Sequence, residues 1–257
     1  MQRVQRVEAG QLLVAGVAAP ETRAVRLDGA EVRYRRAAIG PITLTFRPGI
    51  TCLVGANGAG KSTLFRVLAG VQAPTFGSVQ GVGRTGGIST VGYLPQELGL
   101  PRTATCRQYL DYVAWVYGVP RGRRRAAVDT ALQRADLTTR ADVPIRSLSG
   151  GMRRRLAFAH AVVHDPQVLL LDEPTVGLDP VQRQAMRDVI QGASGGRVTV
   201  ISTHLVDDVR ALADRVIVLD AGHVVYDGDV TDLEETSGDD LEAAITALMV
   251  HGDERLP

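Results

Sequence analysis

Apolar residues fall into three kinds of run along this chain. Ile50-Thr51-Cys52-Leu53-Val54, Val168-Leu169-Leu170-Leu171 and Val198-Thr199-Val200-Ile201-Ser202 are short and nearly unbroken, the pattern of strands covered on both faces. Ala24-Val25-Arg26-Leu27, Val32-Arg33-Tyr34 and Ile42-Thr43-Leu44-Thr45-Phe46 alternate instead, with Asp28-Gly29 read as a turn and Pro48-Gly49 as the close. They predict an antiparallel lobe over residues 24–47. The third kind has helical spacing. Leu64 to Ala69 runs into Gly70. Thr105 to Tyr117 carries Tyr109, Leu110, Val113, Ala114, Val116 and Tyr117, and a basic helix from Arg121 to Ala135 follows the breaker Gly118-Val119-Pro120. Further helices are predicted over Arg153 to Val163, Val181 to about Ile190, and Asp239 to Val250. Glycine-rich turns are read at Phe76-Gly77-Ser78 and Gly81-Val82-Gly83, a strand ends at Val91-Gly92-Tyr93-Leu94-Pro95-Gln96, and Val216 to Tyr226 reads as a hairpin around Asp220-Ala221-Gly222. Strands alternating with helices make an α/β core, and the stretch from 97 to 148 reads as an all-helical insertion in it.

The 257 residues are 45% hydrophobic and 22% charged with a net charge of +1. That suits a globular chain with one large domain, or one core carrying a smaller lobe. The near-neutral balance gives no general attraction to nucleic acid or anionic lipid. Arg121, Arg123, Arg124 and Arg125 lack interleaved aromatics and read as a solvated helix face, so no nucleic-acid partner is expected. Two cysteines, Cys52 and Cys106, make no disulfide framework and fit a reducing, cytosolic setting. Residues 1–23 faintly resemble a signal peptide, but Glu8 and Gln11 interrupt the apolar stretch; a β-hairpin or an unstructured extension of unknown role is expected there. No stretch is long and apolar enough to span a membrane, so a membrane role is expected to run through a partner.

The chemistry starts at Gly55-Ala56-Asn57-Gly58-Ala59-Gly60-Lys61-Ser62-Thr63, between a buried strand and a helix. Its glycines let backbone N–H groups turn toward one anion through positive φ, and the helix start adds partial positive charge. Lys61 supplies charge to the β- and γ-phosphates of a nucleotide, and the Ser62 hydroxyl is placed for Mg²⁺. Asp172 emerges at the carboxyl end of the Val168 strand as a second metal anchor, and Glu173 beside it can polarise a water for in-line attack. Gln96 can reach both metal and water, and His204, after Ser202-Thr203, can donate to the γ-phosphate. Tyr34 reads equally as a base-stacking ring or an ordinary strand aromatic. Ser149-Gly150-Gly151 opens the Arg153 helix as a second anion site. One monomer cannot easily bring both sites to one phosphate, so either the second site serves a nucleotide on another subunit or Ser149 is a plain cap.

Taken in this order, the motifs resemble those of the ATP-binding subunits of ABC transporters over about residues 24–228. The resemblance implies a P-loop NTPase (RecA-like) core with an antiparallel β lobe over 24–95 and 155–238, and a helical subdomain with the signature motif over 96–154. A C-terminal helix and tail would occupy 239–257. It assigns Tyr34 to base stacking, Gly55 to Thr63 to Walker A, Gln96 to the Q-loop and Ser149-Gly150-Gly151 to the signature. Asp172 closes Walker B, Glu173 is the catalytic glutamate, Asp179 the D-loop aspartate and His204 the switch histidine. It further implies ATP hydrolysis with Mg²⁺ and a head-to-tail dimer with a second ATPase subunit, alike or different. A transmembrane permease subunit would hold the chain at the cytoplasmic face of the membrane, its coupling helix in the helical insertion and the groove beside Gln96. Met152 stands where Gln is usual, and with Arg153-Arg154-Arg155-Leu156 it resembles stand-alone ATPases of drug, antibiotic, peptide or lipid exporters. Residues 141–147 lack the Thr-x-Val-Gly-Glu pattern of fused exporters. A soluble ATPase acting on ribosomes or DNA, and an importer ATPase, are the alternatives.

Overall fold

A computed structural model describes residues 24–250 apart from 36, 86, 238 and 239. The extension over 1–23, the tail after Val250 and the first residue of the helix expected from Asp239 lie outside the described residues. The strands are β1 (Val25–Arg33), β2 (Ala38–Phe46), β3 (Gly49–Val54), β4 (Phe76–Gln80), β5 (Arg84–Thr85), β6 (Ile88–Ser89), β7 (Val91–Leu94), β8 (Val168–Asp172), β9 (Val198–Thr203), β10 (Arg215–Asp220) and β11 (His223–Asp229). The helices are α1 (Lys61–Leu68), α2 (Cys106–Val116), α3 (Arg121–Arg134), α4 (Gly150–Val162), α5 (Pro180–Ser194), α6 (Val206–Leu212), α7 (Val230–Ser237) and α8 (Leu241–Val250).

The unbroken apolar runs become the middle of a six-stranded sheet of order β11-β10-β3-β9-β8-β7. Its five strands from β10 to β7 run parallel, and only the edge strand β11 is antiparallel. Every residue of β8 and β9 is buried, as a sheet with helices on both faces requires. Strand alternation divides the core in two. Cys52, Val54, Leu169 and Leu171 pack with α2 to α6 on one face. Leu53, Leu170, Val200 and Ile217 pack with α1 and the β1–β2 lobe on the other.

That lobe is the three-stranded antiparallel sheet β2-β1-β4, and it differs from expectation twice. Asp28-Gly29 is no turn: β1 runs straight through it, with register shifts on both sides of Ala30 and Gly29 at φ 55°. Phe76-Gly77-Ser78 is likewise strand, paired to β1 at the edge. A Cβ on Gly77 would sit 2.2 Å from the Gly29 carbonyl, so the glycines mark a bulge and a close strand approach.

Between β7 and β8 stands the helical insertion. Thr105 Oγ accepts from Gln108 N–H (3.2 Å) and Gln108 Oε1 from Thr105 N–H (3.0 Å), a reciprocal cap that starts α2. A part-buried strut ties the insertion to the sheet. Tyr109 and Tyr117 share hydrogen bonds with the two nitrogens of His160 (2.8 and 3.3 Å). Tyr117 stacks on His164 at 3.9 Å, and His164 Nε2 meets the Val91 carbonyl at 3.0 Å. Burial pushes both imidazoles down to about 4; the neighbouring charge of Arg197 acts the same way on His164, while Asp165 opposes it. The unfolded chain therefore takes up their protons first, near the ordinary value of about 6.5. Stability is expected to fall as pH drops from about 6.5 toward 4, by up to about 1.4 kcal/mol per pH unit for each histidine. Urea midpoints at pH 7, 6 and 5 measure the slope. His160→Gln is expected to flatten it, and equal slopes in the variant and the parent would remove the strut as the cause.

Candidate active site

The nucleotide loop leaves β3 and enters α1. Gly58 and Gly60 take φ of 89° and 106°, which lets the loop fold back. Gly55 keeps ordinary φ, against expectation. It is glycine because a Cβ there would lie 2.2 Å from the Leu219 carbonyl of β10. No side chain caps α1 at Gly60, so the helix start is open to an anion. Lys61, 6% exposed, turns its Nζ onto the carbonyls of Gly55 (2.7 Å) and Ala56 (3.1 Å). An ammonium has three donors, so one remains. Burial pulls its pKa down while Glu173 and Asp172 pull it up.

Beside the loop lies a cavity of about 530 Å³. Tyr34, the loop residues Asn57, Gly58, Gly60, Lys61, Ser62 and Thr63, and Gln96 and Glu173 all line it. Gly55 and Ala59 lie behind, buried. Tyr34 is 44% exposed, and its hydroxyl sits 3.1 Å from Thr63 Oγ1, a bond that lowers its pKa. The ring is thus partly exposed at the cavity, with its hydroxyl held to Thr63.

Glu173 has the most partners among these acids and amides. It is 7% exposed and holds φ 50°, a left-handed conformation uncommon outside glycine. Its N–H donates to Ser202 Oγ (3.0 Å) and to the Ser202 carbonyl (3.1 Å). Its carboxylate accepts from Gln96 Nε2 at 3.0 Å and meets His204 Nδ1 at 3.3 Å. Asp172, 2% exposed, accepts from the same Ser202 hydroxyl. Gln96, Asp172, Glu173 and His204, from the end of β8 and the segments after β7, β8 and β9, are therefore one cluster.

The signature residues sit elsewhere. Ser149 caps α4 by accepting from Met152 N–H at 3.3 Å, and Asp179 caps α5 by accepting from Gln182 N–H at 2.9 Å. Gly151 gives α4 room against α5, since a Cβ would be 2.2 Å from Gln182 Oε1. None of Ser149, Gly150, Gly151 and Asp179 lines the loop's cavity; Gly150 lines a separate groove of about 780 Å³ that begins at Gln96.

Two residues of the site escaped the sequence reading. Ser202 holds both acids, and its only signal was a hydroxyl closing an apolar run. Asp208, fully buried, accepts from Thr175 Oγ1, Thr203 Oγ1 (3.5 Å) and Arg187 Nε (2.8 Å). It thereby fixes the chain after Glu173 and the residue before His204. Among the described residues no three of His, Cys, Asp and Glu cluster as a metal site, and no helix is long and apolar enough to cross a membrane.

A glycine cradle on an uncapped helix, with a lysine and two acids at the carboxyl edge of a parallel sheet, defines a nucleotide-triphosphate site. The family model "ABC transporter" matches residues 39–176. The chain is 36% identical over 232 residues to a daunorubicin resistance ATP-binding protein of Streptomyces coeruleorubidus, covering 86% of this chain and 73% of the relative. It is 33% identical to a Nod factor export ATP-binding protein I of Ralstonia nicotianae, covering 88% and 76%. Among solved structures it is similar to an ATP binding subunit of an ABC transporter (TM-score 0.73, 22% identity, 87% of this chain and 98% of that one). It is also similar to an ATP-binding cassette in a dimeric, post-hydrolysis state bound to ADP and Pi (TM-score 0.68, 22% identity, 80% and 98%). The chain belongs to the ABC transporter family, as an ATP-binding subunit that hydrolyses ATP.

Asp208→Asn is expected to lower stability by about 3 kcal/mol, because Arg187 keeps its charge without a counter-ion. Denaturant unfolding checks this, and a change under about 0.5 kcal/mol would show that the pair does not hold the loops.

Proposed function

We propose that this chain is the motor subunit of an exporter, working at the cytoplasmic face of a membrane through a separate transmembrane partner. The observation that carries the reading is the Glu173 carboxylate, gripped by Gln96 and His204 and lining the same cavity as the nucleotide loop. In the proposed cycle ATP enters that cavity with its phosphates on the Gly58–Thr63 backbone and the base against the Tyr34 ring. Lys61 exchanges loop carbonyls for phosphate oxygens, and His204 donates to the γ-phosphate. Glu173 orients the water and takes its proton as the water oxygen bonds to the γ-phosphorus and the bond from that phosphorus to the β–γ bridging oxygen breaks, so that phosphate forms and ADP leaves.

Ser62 Oγ, Gln96 and Asp172 would hold Mg²⁺. The set is all oxygen and sparse, as this cation prefers, and the nearly buried Asp172 carboxylate has one hydroxyl donor, Ser202, among the described residues. Bound there, the cation would neutralise charge between the β- and γ-phosphates. Ser149, Gly150, Gly151 and Asp179 are proposed to complete the pocket of a second ATPase subunit, consistent with their place outside this chain's own cavity. ATP then favours the closed pair, and loss of phosphate releases it. The groove of about 780 Å³ between Gln96 and the helical insertion is proposed to receive the partner's coupling segment. Export is supported by the relatives named for drug resistance and Nod factor export.

Glu173→Gln keeps the hydrogen-bonding shape and removes the base. Turnover is expected to drop at least about 100-fold, with ATP affinity within about threefold and an ATP-dependent dimer accumulating on size-exclusion chromatography. Ordinary steady-state turnover in this variant would take Glu173 out of the mechanism.

A further inference from the structure

Three consecutive arginines follow Gly150-Gly151-Met152 in α4, and they do different things. Arg153 Nη1 donates to the Leu148 carbonyl at 2.6 Å, and Arg155 pairs with Asp136; both partners belong to the helical insertion. Arg154 leaves the insertion. Its Nε donates to the Pro174 carbonyl at 2.9 Å, Nη1 to the Gln96 carbonyl at 2.8 Å, and Nη2 to the Asp172 carbonyl at 3.0 Å and to the Glu173 carbonyl. All four acceptors are main-chain oxygens, and none is a carboxylate. A planar guanidinium with five N–H groups can serve such a fan, whereas a lysine nitrogen cannot span it.

The acceptors are the point. β8 ends at Asp172, and the next residue, Glu173, takes φ 50°. The carbonyls from Asp172 to Pro174 therefore turn out of the ladder in a buried place and need donors. Ser202 holds the amide side of this turn, through Glu173 N–H. Arg154 holds the carbonyl side, and its fourth bond fixes the Gln96 backbone, whose side chain grips the Glu173 carboxylate. The same side chain lines the groove of about 780 Å³. One residue thus touches the signature helix, the Gln96 loop, the catalytic turn and the groove.

We propose that Arg154 is a positioning residue that couples α4 to the reaction: a shift of the helical insertion moves Glu173 and Gln96 together through these four bonds. The proposal rests on Glu173 acting on the water, so the test includes an arm that needs no ATP. In the nucleotide-free full chain, amide hydrogen exchange over 95–99 and 172–177 is expected to speed about tenfold or more in Arg154→Ala, with β3 and β9 unchanged. Arg154→Lys, with one nitrogen for four carbonyls, is expected to fall between variant and parent, and it decides the question if the alanine variant does not fold. In the ATP arm, kcat is expected to fall about 10- to 100-fold while the affinity for a fluorescent ATP analogue stays within about threefold. Unchanged exchange at both segments overturns the proposal. So does uniform acceleration across the chain, or a loss of affinity that matches the loss of kcat. A parent protein without turnover would defeat the hydrolysis reading yet leave the exchange arm to decide the coupling.

Discussion

Where β8 stops, its last peptide groups leave the sheet while still buried, and other groups must take their hydrogen bonds. The site depends on how this is met. The turn after Asp172 lays two acids side by side at the carboxyl edge of the sheet, and it does so only with Glu173 held at φ 50°. Ser202 secures the amide side and Arg154 the carbonyls, from β9 and α4 respectively. The Glu173 carboxylate, proposed to orient the attacking water, is thus fixed by its main chain, and its side chain is then oriented by Gln96 and His204.

The rest of the molecule sets the ends of that arrangement. Parallel pairing of β3, β8 and β9 brings the nucleotide loop, the two acids and His204 to one edge, with one core on each face of the sheet. Asp208 fixes the segments flanking the acids and the histidine. The Tyr109–His160–Tyr117–His164 strut ties the insertion to β7. The insertion is therefore joined to the core by polar contacts, most of them part-buried, along α4.

Much of this was legible in the sequence, for identifiable reasons. The loop from Gly55 to Thr63 could be read because glycine spacing and its flanking strand and helix are local. The buried strands could be read because an unbroken apolar run has few other homes. The readings that failed were long-range. Gly55 was read for positive φ in the anion cradle and Gly77 as part of a turn, yet each is glycine because a carbonyl from another strand, of Leu219 or Gly29, passes within reach. β4 is an exposed edge strand and lacks the alternation that would have revealed it. Ser202 and Asp208 act on partners about 30 residues away, which no periodicity reports, and Arg154 was hidden in a run of arginines whose members are indistinguishable until their partners are known.

The central proposal is that one subunit's nucleotide loop is completed by a second subunit's Ser149, and two copies of this chain can be made to report on it. Mixing two inactive variants tests it most directly. Lys61→Ala disables the loop and Ser149→Arg the complementing face. In a head-to-tail pair the mixed dimer keeps one intact site, so an equimolar mixture is expected to regain about a quarter of parental ATPase activity. A mixture as inactive as its components, or a Ser149→Arg protein as active as the parent, would contradict the account.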